Sequence, residues 1–180
     1  MKLEVLLRQK RPAILKRWRQ LIAETYPQET SRFLASDKDQ FANPVGHFIR
    51  NGTEALLDQI HGELDREVVG ECMDPIVRIR AVQDFSPSEA VGFVFLLKNA
   101  VRREAGAEIE AEGLLGELLE FELRVDALAG CAFDTYARCR EQIYEIRIRE
   151  IKNRSAVLMR RMNVLTDEPA TDEDVQGGEA

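Results

Sequence analysis

The chain has 180 residues, 44% of them apolar, which is enough for one domain with a sizeable core plus an appendage and short of two ordinary domains. A net charge of −7 and a pI near 5.1 weigh against nucleic-acid binding as the default role. Much of that charge sits in residues 166–180, which hold six acidic side chains and no basic one, so the body ahead of them is close to neutral.

Residues 1–26 read as helix. Leu3, Leu6 and Leu7 form one apolar patch, and Ile14, Leu15, Trp18, Leu21 and Ile22 continue at three- and four-residue spacing. Pro12 either separates the two pieces or lies in the first turn of the second. Arg8, Lys10, Arg11, Lys16, Arg17 and Arg19 make this end basic, as a solvated helix face or as a docking surface for an acidic partner. Pro27 ends the helix, and residues 28–39 read as a polar connector.

Asn43-Pro44 starts a helix that runs to about Gly62, with Val45, Phe48, Ile49, Leu56, Leu57 and Ile60 on its inner face. Gly46 and Gly52 each weaken that helix by about 1 kcal/mol relative to alanine, so close packing against another backbone is expected there. A short amphipathic piece, 64–70, follows. Asp74-Pro75 reads as an N-cap with proline at the first helical position, opening a short helix that stops at Gln83-Asp84-Phe85.

Ser86-Pro87 repeats the device, and Glu89 completes a capping box. The helix it opens, from Pro87 to about Ala105, is apolar over most of its circumference and is expected to be the central core helix. Residues 105–116 read as a turn and an imperfect helix start. From Leu114 to Leu165 there is no proline, which predicts about 50 residues of helix. No segment alternates like a strand, so the expected fold class is all-α.

Tyr144, Ile148, Ile151, Ser155, Leu158, Met162 and Leu165 fall at 4-3-4-3 spacing, the pattern of a short coiled-coil seam. Arg140, Arg147, Arg154 and Arg161 repeat every seven residues on its flank. In a parallel homodimer Arg140 would meet Glu145, but Arg147 would face Lys152. The seam asks for a partner helix, from a second copy, another protein, or its own domain. The expected division is a helical domain over 1–143, a coiled-coil exit helix over 144–165, and a disordered acidic tail over 166–180.

Chemistry-bearing patterns are scarce. His47 and His61 lie fourteen residues apart, close to four helical turns or about 21 Å, too far to share a metal ion. Each reads as a helix-surface histidine, or as the iron ligand of a haem in a globin-like pocket. Cys72, Cys131 and Cys139 form no CxxC pair and suit a reducing cytoplasm as core fillers. There is no Gly-rich phosphate loop, HExxH or nucleophile elbow, so neither catalysis nor a metal or cofactor is expected. No leader pattern and no apolar run near 20 residues is present, so a cytoplasmic location without membrane insertion is expected.

Asn43-Pro44-Val45-Gly46, with Phe41 ahead of it, resembles the N-terminal domain of the RsbRD type of RsbT co-antagonist. So does the run Ile79-Arg80-Ala81-Val82-Gln83-Asp84-Phe85-Ser86-Pro87-Ser88-Glu89-Ala90, and the similarity extends over roughly residues 10–150. The resemblance implies a bacterial signalling component of the stressosome class, whose all-helical N-terminal domains sense input and dimerise. Related domains are globin-like without haem. It also implies a C-terminal STAS domain with phosphorylatable threonines, which this sequence does not show, so an isolated input module is expected. The expected function is non-enzymatic regulation through a homodimer or a signalling partner, contacted by Tyr144, Ile148, Ile151, Leu158, Met162 and Leu165. The input site, with a small ligand possible, is expected near the helices over 43–60 and 87–101. A haem or small-ligand sensor using His47 or His61, and an accessory subunit of a larger complex, are the alternatives.

Overall fold

The structure, a computed structural model, describes residues 2–34, 42–60, 64–83 and 85–166, with side chains to residue 161. Among them seven helices follow in order: α1 Leu3–Glu24, α2 Gln28–Leu34, α3 Pro44–Gln59, α4 Arg66–Val82, α5 Pro87–Gly92, α6 Leu96–Ala111 and α7 Leu115–Thr166. The fold is all-α, as expected. No helix among the described residues is long and apolar enough to cross a membrane.

The chain divides into two units, Met1–Arg140 and Glu141–Ala180. In the first, α1 packs along α6 and α3 along α4. Its core is built from apolar helical stripes: Ile14, Trp18 and Ile22 of α1, Met73, Ile76 and Val77 of α4, and Leu97, Val101 and Ile109 of α6 are all buried. Each such side chain contributes about 1.5–3 kcal/mol on leaving water, far more than any helix propensity. Phe121, Val125, Leu128, Ala132 and Tyr136 bring residues 115–140 of α7 into the same core.

Both interior prolines are absorbed without a break. Pro12 lies inside α1, and α4 starts at Arg66 with Asp65 as N-cap, so Pro75 is mid-helix and Asp74 caps nothing. The Asp74 carboxylate instead accepts from Arg78 one turn on, at 3.1 Å. A mid-helix proline costs about 3 kcal/mol. Burial of Val69 and Met73 on one side of Pro75 and of Ile76 and Val77 on the other offsets it.

Residues 28–34 are helix, not connector, because Leu34 is drawn into the core. The expected helix over 87–105 is broken. Turns replace it at Phe93–Phe95, and α6 then runs on to Ala111. There Gly113, at φ +66°, supplies the left-handed residue that closes the helix, and Leu114 N–H bonds back to the Ile109 carbonyl at 2.9 Å. The capping box is formed as written: Glu89 N–H reaches Ser86 Oγ, and Ser86 N–H reaches the Glu89 carboxylate at 3.0 Å.

In the second unit, residues 141–166 are helical, and no described side chain over 141–161 is buried. The acidic tail expected over 166–180 lies outside the described residues apart from Thr166.

Candidate functional site

The two motif stretches of the first unit each build a polar junction inside an apolar core. Asn43 is fully buried and does three jobs at once. Its Oδ1 accepts from Gly46 N–H at 2.9 Å, capping α3. Its Nδ2 donates to the carbonyls of Phe33 (3.0 Å) and Leu34 (3.3 Å) in the last turn of α2. A Cβ on residue 46 would lie 2.7 Å from Asn43 Cγ, so glycine there makes room for the cap. Pro44 takes the first helical position, where no N–H is needed. Asn-Pro-Val-Gly is therefore one device, joining the end of α2 to the start of α3.

The second junction is Arg80, in the last turn of α4. Its side chain is fully buried, with the guanidinium carbon 5.0 Å from the ring centre of Tyr26, 4.9 Å from Phe85 and 5.4 Å from Phe93. Nη1 donates to the Glu89 carbonyl at 3.0 Å and Nη2 to Thr25 Oγ1 at 2.9 Å, while Nε has no partner among the described residues. Burial lowers the basicity of Arg80 below the ordinary arginine value, and Tyr26 and Glu89 oppose that shift. The three rings supply part of what water would have given, about 2 kcal/mol for a desolvated cation over an aromatic face. Arg80 thus fastens the end of α1, the link after α4, α5 and the break after α5 to one another. Its place is legible in hindsight: Ile76, Val77, Arg80 and Ala81 form one helical stripe, and an arginine on that stripe is a buried arginine.

Of the two histidines, His47 alone lies among the described residues. His47 is partly exposed on α3, its Nε2 2.9 Å from Asn51 Nδ2 and its ring edge-on to Phe48 at 6.2 Å. His61 lies outside the described residues. Among the described residues no cluster of three or more His, Cys, Asp or Glu is arranged to hold a metal ion. Cys131 and Cys139 are buried, and burial pushes the thiols of Cys139 and of the half-buried Cys72 above the usual cysteine value.

The basic end of α1 is largely spoken for. Arg8 pairs with Glu4, Lys10 with Glu108, Arg11 with Asp58, Arg17 with Glu104 and Arg19 with Glu54. Four of these acids belong to α3 and α6, so these pairs tie α1 to its neighbours. The acidic run over 108–122 is used likewise: Glu122 holds Arg102 at 2.6 Å and 2.7 Å, and Glu117 accepts from Leu3 N–H at 2.8 Å.

Exposed apolar surface is found on α7, in each unit separately. In the second unit Tyr144, Ile148, Ile151 and Leu158 are 49–64% exposed, while the side chains of Met162 and Leu165 lie outside the described ones. In the first unit Leu115, Leu119, Leu123 and Phe133 are 52–63% exposed. Residues 115, 119 and 123 advance about 40° each around a helix, and 133 returns to the position of 115 after five turns, so they share one side. The sequence reading missed this row, although its four-residue leucine spacing was the available signal.

The comparisons bear on the same stretches. The model of the family described as RsbT co-antagonist protein rsbRD N-terminal domain matches residues 12–151, a span that contains both junctions. An uncharacterized protein of Archaeoglobus fulgidus is 25% identical over 121 residues, which make up 66% of this chain and 76% of that one. No solved structure matches the chain. With a family model covering more than half of its length, the chain belongs to the family of RsbT co-antagonist rsbRD N-terminal domains.

Proposed function

We propose that this protein is a non-enzymatic regulatory sensor domain that works by protein contact, without a cofactor, in the cytoplasm. Unit Met1–Arg140 receives an input, and the helix over 141–166 carries the response to a second copy of the chain or to a signalling partner. The family supports the sensing role, since it is named for co-antagonists of a stress-signalling protein. The globin-like arrangement of related domains belongs to this reading.

The observation that carries it is the exposed row Tyr144, Ile148, Ile151 and Leu158. Large side chains repeating at coiled-coil spacing stabilise nothing while in water, and each is worth about 1.5–3 kcal/mol when a partner helix buries it. Met162 and Leu165 extend the same row in sequence. Exposed Leu115, Leu119, Leu123 and Phe133 in the first unit add a second apolar surface suited to protein contact.

Light scattering on the purified chain tests the dimer. The expected mass is twice the 20.5 kDa of one chain, falling to one chain in the Ile148→Lys, Ile151→Lys double variant. A wild-type monomer at tens of micromolar, or a double variant that stays dimeric, would sink the seam as a self-association site.

A further inference from the structure

Two ligand-sized cavities open on the first unit, and their linings differ in charge. The one between α4 and α7, about 670 Å³, has two arginines against four carboxylates, and the Arg66–Asp134 ion pair ties two of its lining residues together. The other, about 590 Å³, is bounded by α1, α2 and α3. Its lining carries four cations, Lys16, Arg19, Arg32 and Arg50, against one carboxylate, Glu24. With Glu54, which pairs with Arg19, counted beside Glu24, four less two is a formal +2, set in a protein whose total is −7. Both volumes fall in the range of small-molecule sites, about 300–1,000 Å³.

We propose that the cavity between α1, α2 and α3 binds an amphipathic organic anion. The carboxylate or phosphate head sits among Lys16, Arg19 and Arg32, and the apolar body lies on Ala23, Leu34 and Ile49. Those three floor residues are all buried, at 5–7% exposed.

The charge pattern of α1 supports the assignment. Arg8, Lys10, Arg11, Arg17 and Arg19 are each neutralised by an acidic partner. Lys16, which faces the cavity, has no ion pair or hydrogen bond among the described residues, and neither has Arg32 of α2. Unneutralised cations on the wall of a concave, partly apolar surface concentrate field lines into it and attract anions.

Arg19 supplies a donor that is already fixed. Its Nε donates to Thr53 Oγ1 at 2.9 Å, and its Nη2 to the Arg50 carbonyl at 2.8 Å and to Glu54 Oε1 at 2.7 Å. Nη1 makes no hydrogen bond among the described residues. A guanidinium held on one edge loses little freedom when the other edge meets an anion. The Asn43 device shapes the same wall, because it joins Leu34 to Gly46, and both line the cavity.

The inference names a ligand class for the proposed sensor, yet its binding step stands apart from dimerisation. Titration calorimetry on the full chain tests it with four probes: decanoate, decyl phosphate, inorganic phosphate and decyltrimethylammonium, each below micelle-forming concentration. Either amphipathic anion binding once per chain, at least about tenfold tighter than inorganic phosphate and the cationic amphiphile, supports the site. The Lys16→Gln, Arg32→Gln variant changes only exposed side chains, so it should keep the wild-type circular dichroism and lose at least about tenfold in affinity. Binding of neither anion, equal binding of the cationic probe, or unchanged affinity in the folded variant overturns it. Light scattering of the same samples reports the seam independently, so failure of one idea is distinguishable from failure of the other.

Discussion

Trp18 donates its indole N–H to the carbonyl of Phe93 at 2.7 Å, inside the core and across 75 residues of chain. That bond lies at the point where an expected continuous helix breaks. Around it the backbone switches to three-residue bonds, Val94 N–H to Val91, Phe95 N–H to Gly92, Leu97 N–H to Val94 and Lys98 N–H to Phe95, all at 3.1 Å. The Phe93 carbonyl is turned out of the helical ladder and given to the indole. Both rings, Trp18 and Phe93, are fully buried.

Trp18→Phe should therefore cost more than the loss of ring area. It leaves a buried carbonyl without its donor, a penalty of about 1–3 kcal/mol, on top of the smaller ring's lost packing. Urea unfolding should show a lower midpoint with an unchanged slope. An unchanged midpoint would mean that the bond contributes nothing.

Arg80 separates charge from volume. Arg80→Ala removes the cation and leaves a cavity among Tyr26, Phe85 and Phe93, and should destabilise by about 3 kcal/mol or more. Arg80→Met keeps most of the volume and removes a charge that burial disfavours, so it should cost about 1 kcal/mol or less. Comparing the two urea midpoints decides the matter. Equal losses would show that the guanidinium's own bonds, to Thr25 and Glu89, dominate.

Two helical glycines should respond in opposite directions to alanine. At Gly52 a Cβ would lie 2.7 Å from Ile76 Cδ1 and 3.1 Å from the Cys72 carbonyl oxygen, so the buried Ile76 side chain must move and the Cys72 backbone must give slightly. Gly52→Ala should cost about 1–2 kcal/mol after the gain in helix propensity is counted. Gly130 meets nothing within 4 Å, and Gly130→Ala should stabilise by about 0.5–1 kcal/mol. Thermal melts of the two variants, one shifted down and one up, are the measurement.

Acidification should destabilise the fold below the ordinary glutamate value of about 4.5. The Arg19 hydrogen bond holds the Glu54 carboxyl below that value, Ser86 does the same for Glu89, and Lys10 for Glu108. A group whose folded pKa is depressed adds stability that is complete above its unfolded value. That stability disappears as the pH falls through the folded one. These groups are solvent-accessible, so the part owed to Glu54 and Arg19 is at most about 1 kcal/mol. Melts from pH 7 to pH 3 should show a falling midpoint, and in Arg19→Gln the fall should be smaller. An equal fall in the variant would assign the effect to other carboxylates.

The sequence by itself determined the helical class, the start of α3 at Asn43-Pro44, the capping box at Ser86, the long proline-free α7 and the seam's spacing. Each rests on chemistry within a few residues: a cap, a fixed proline φ, or a period of 3.6. Tertiary structure decided what local signals leave ambiguous. Asp74-Pro75 carries every local mark of a helix start, but apolar burial on both sides of Pro75 outweighs the missing N–H. The apolar run after Pro87 has only Gly92 as a local weak point, and its break is secured by Trp18, 75 residues away in the chain. Likewise the basic residues of α1 look alike in sequence. Only their acidic neighbours, four of them on other helices, separate the five that are neutralised in place from Lys16, which faces the cavity uncompensated.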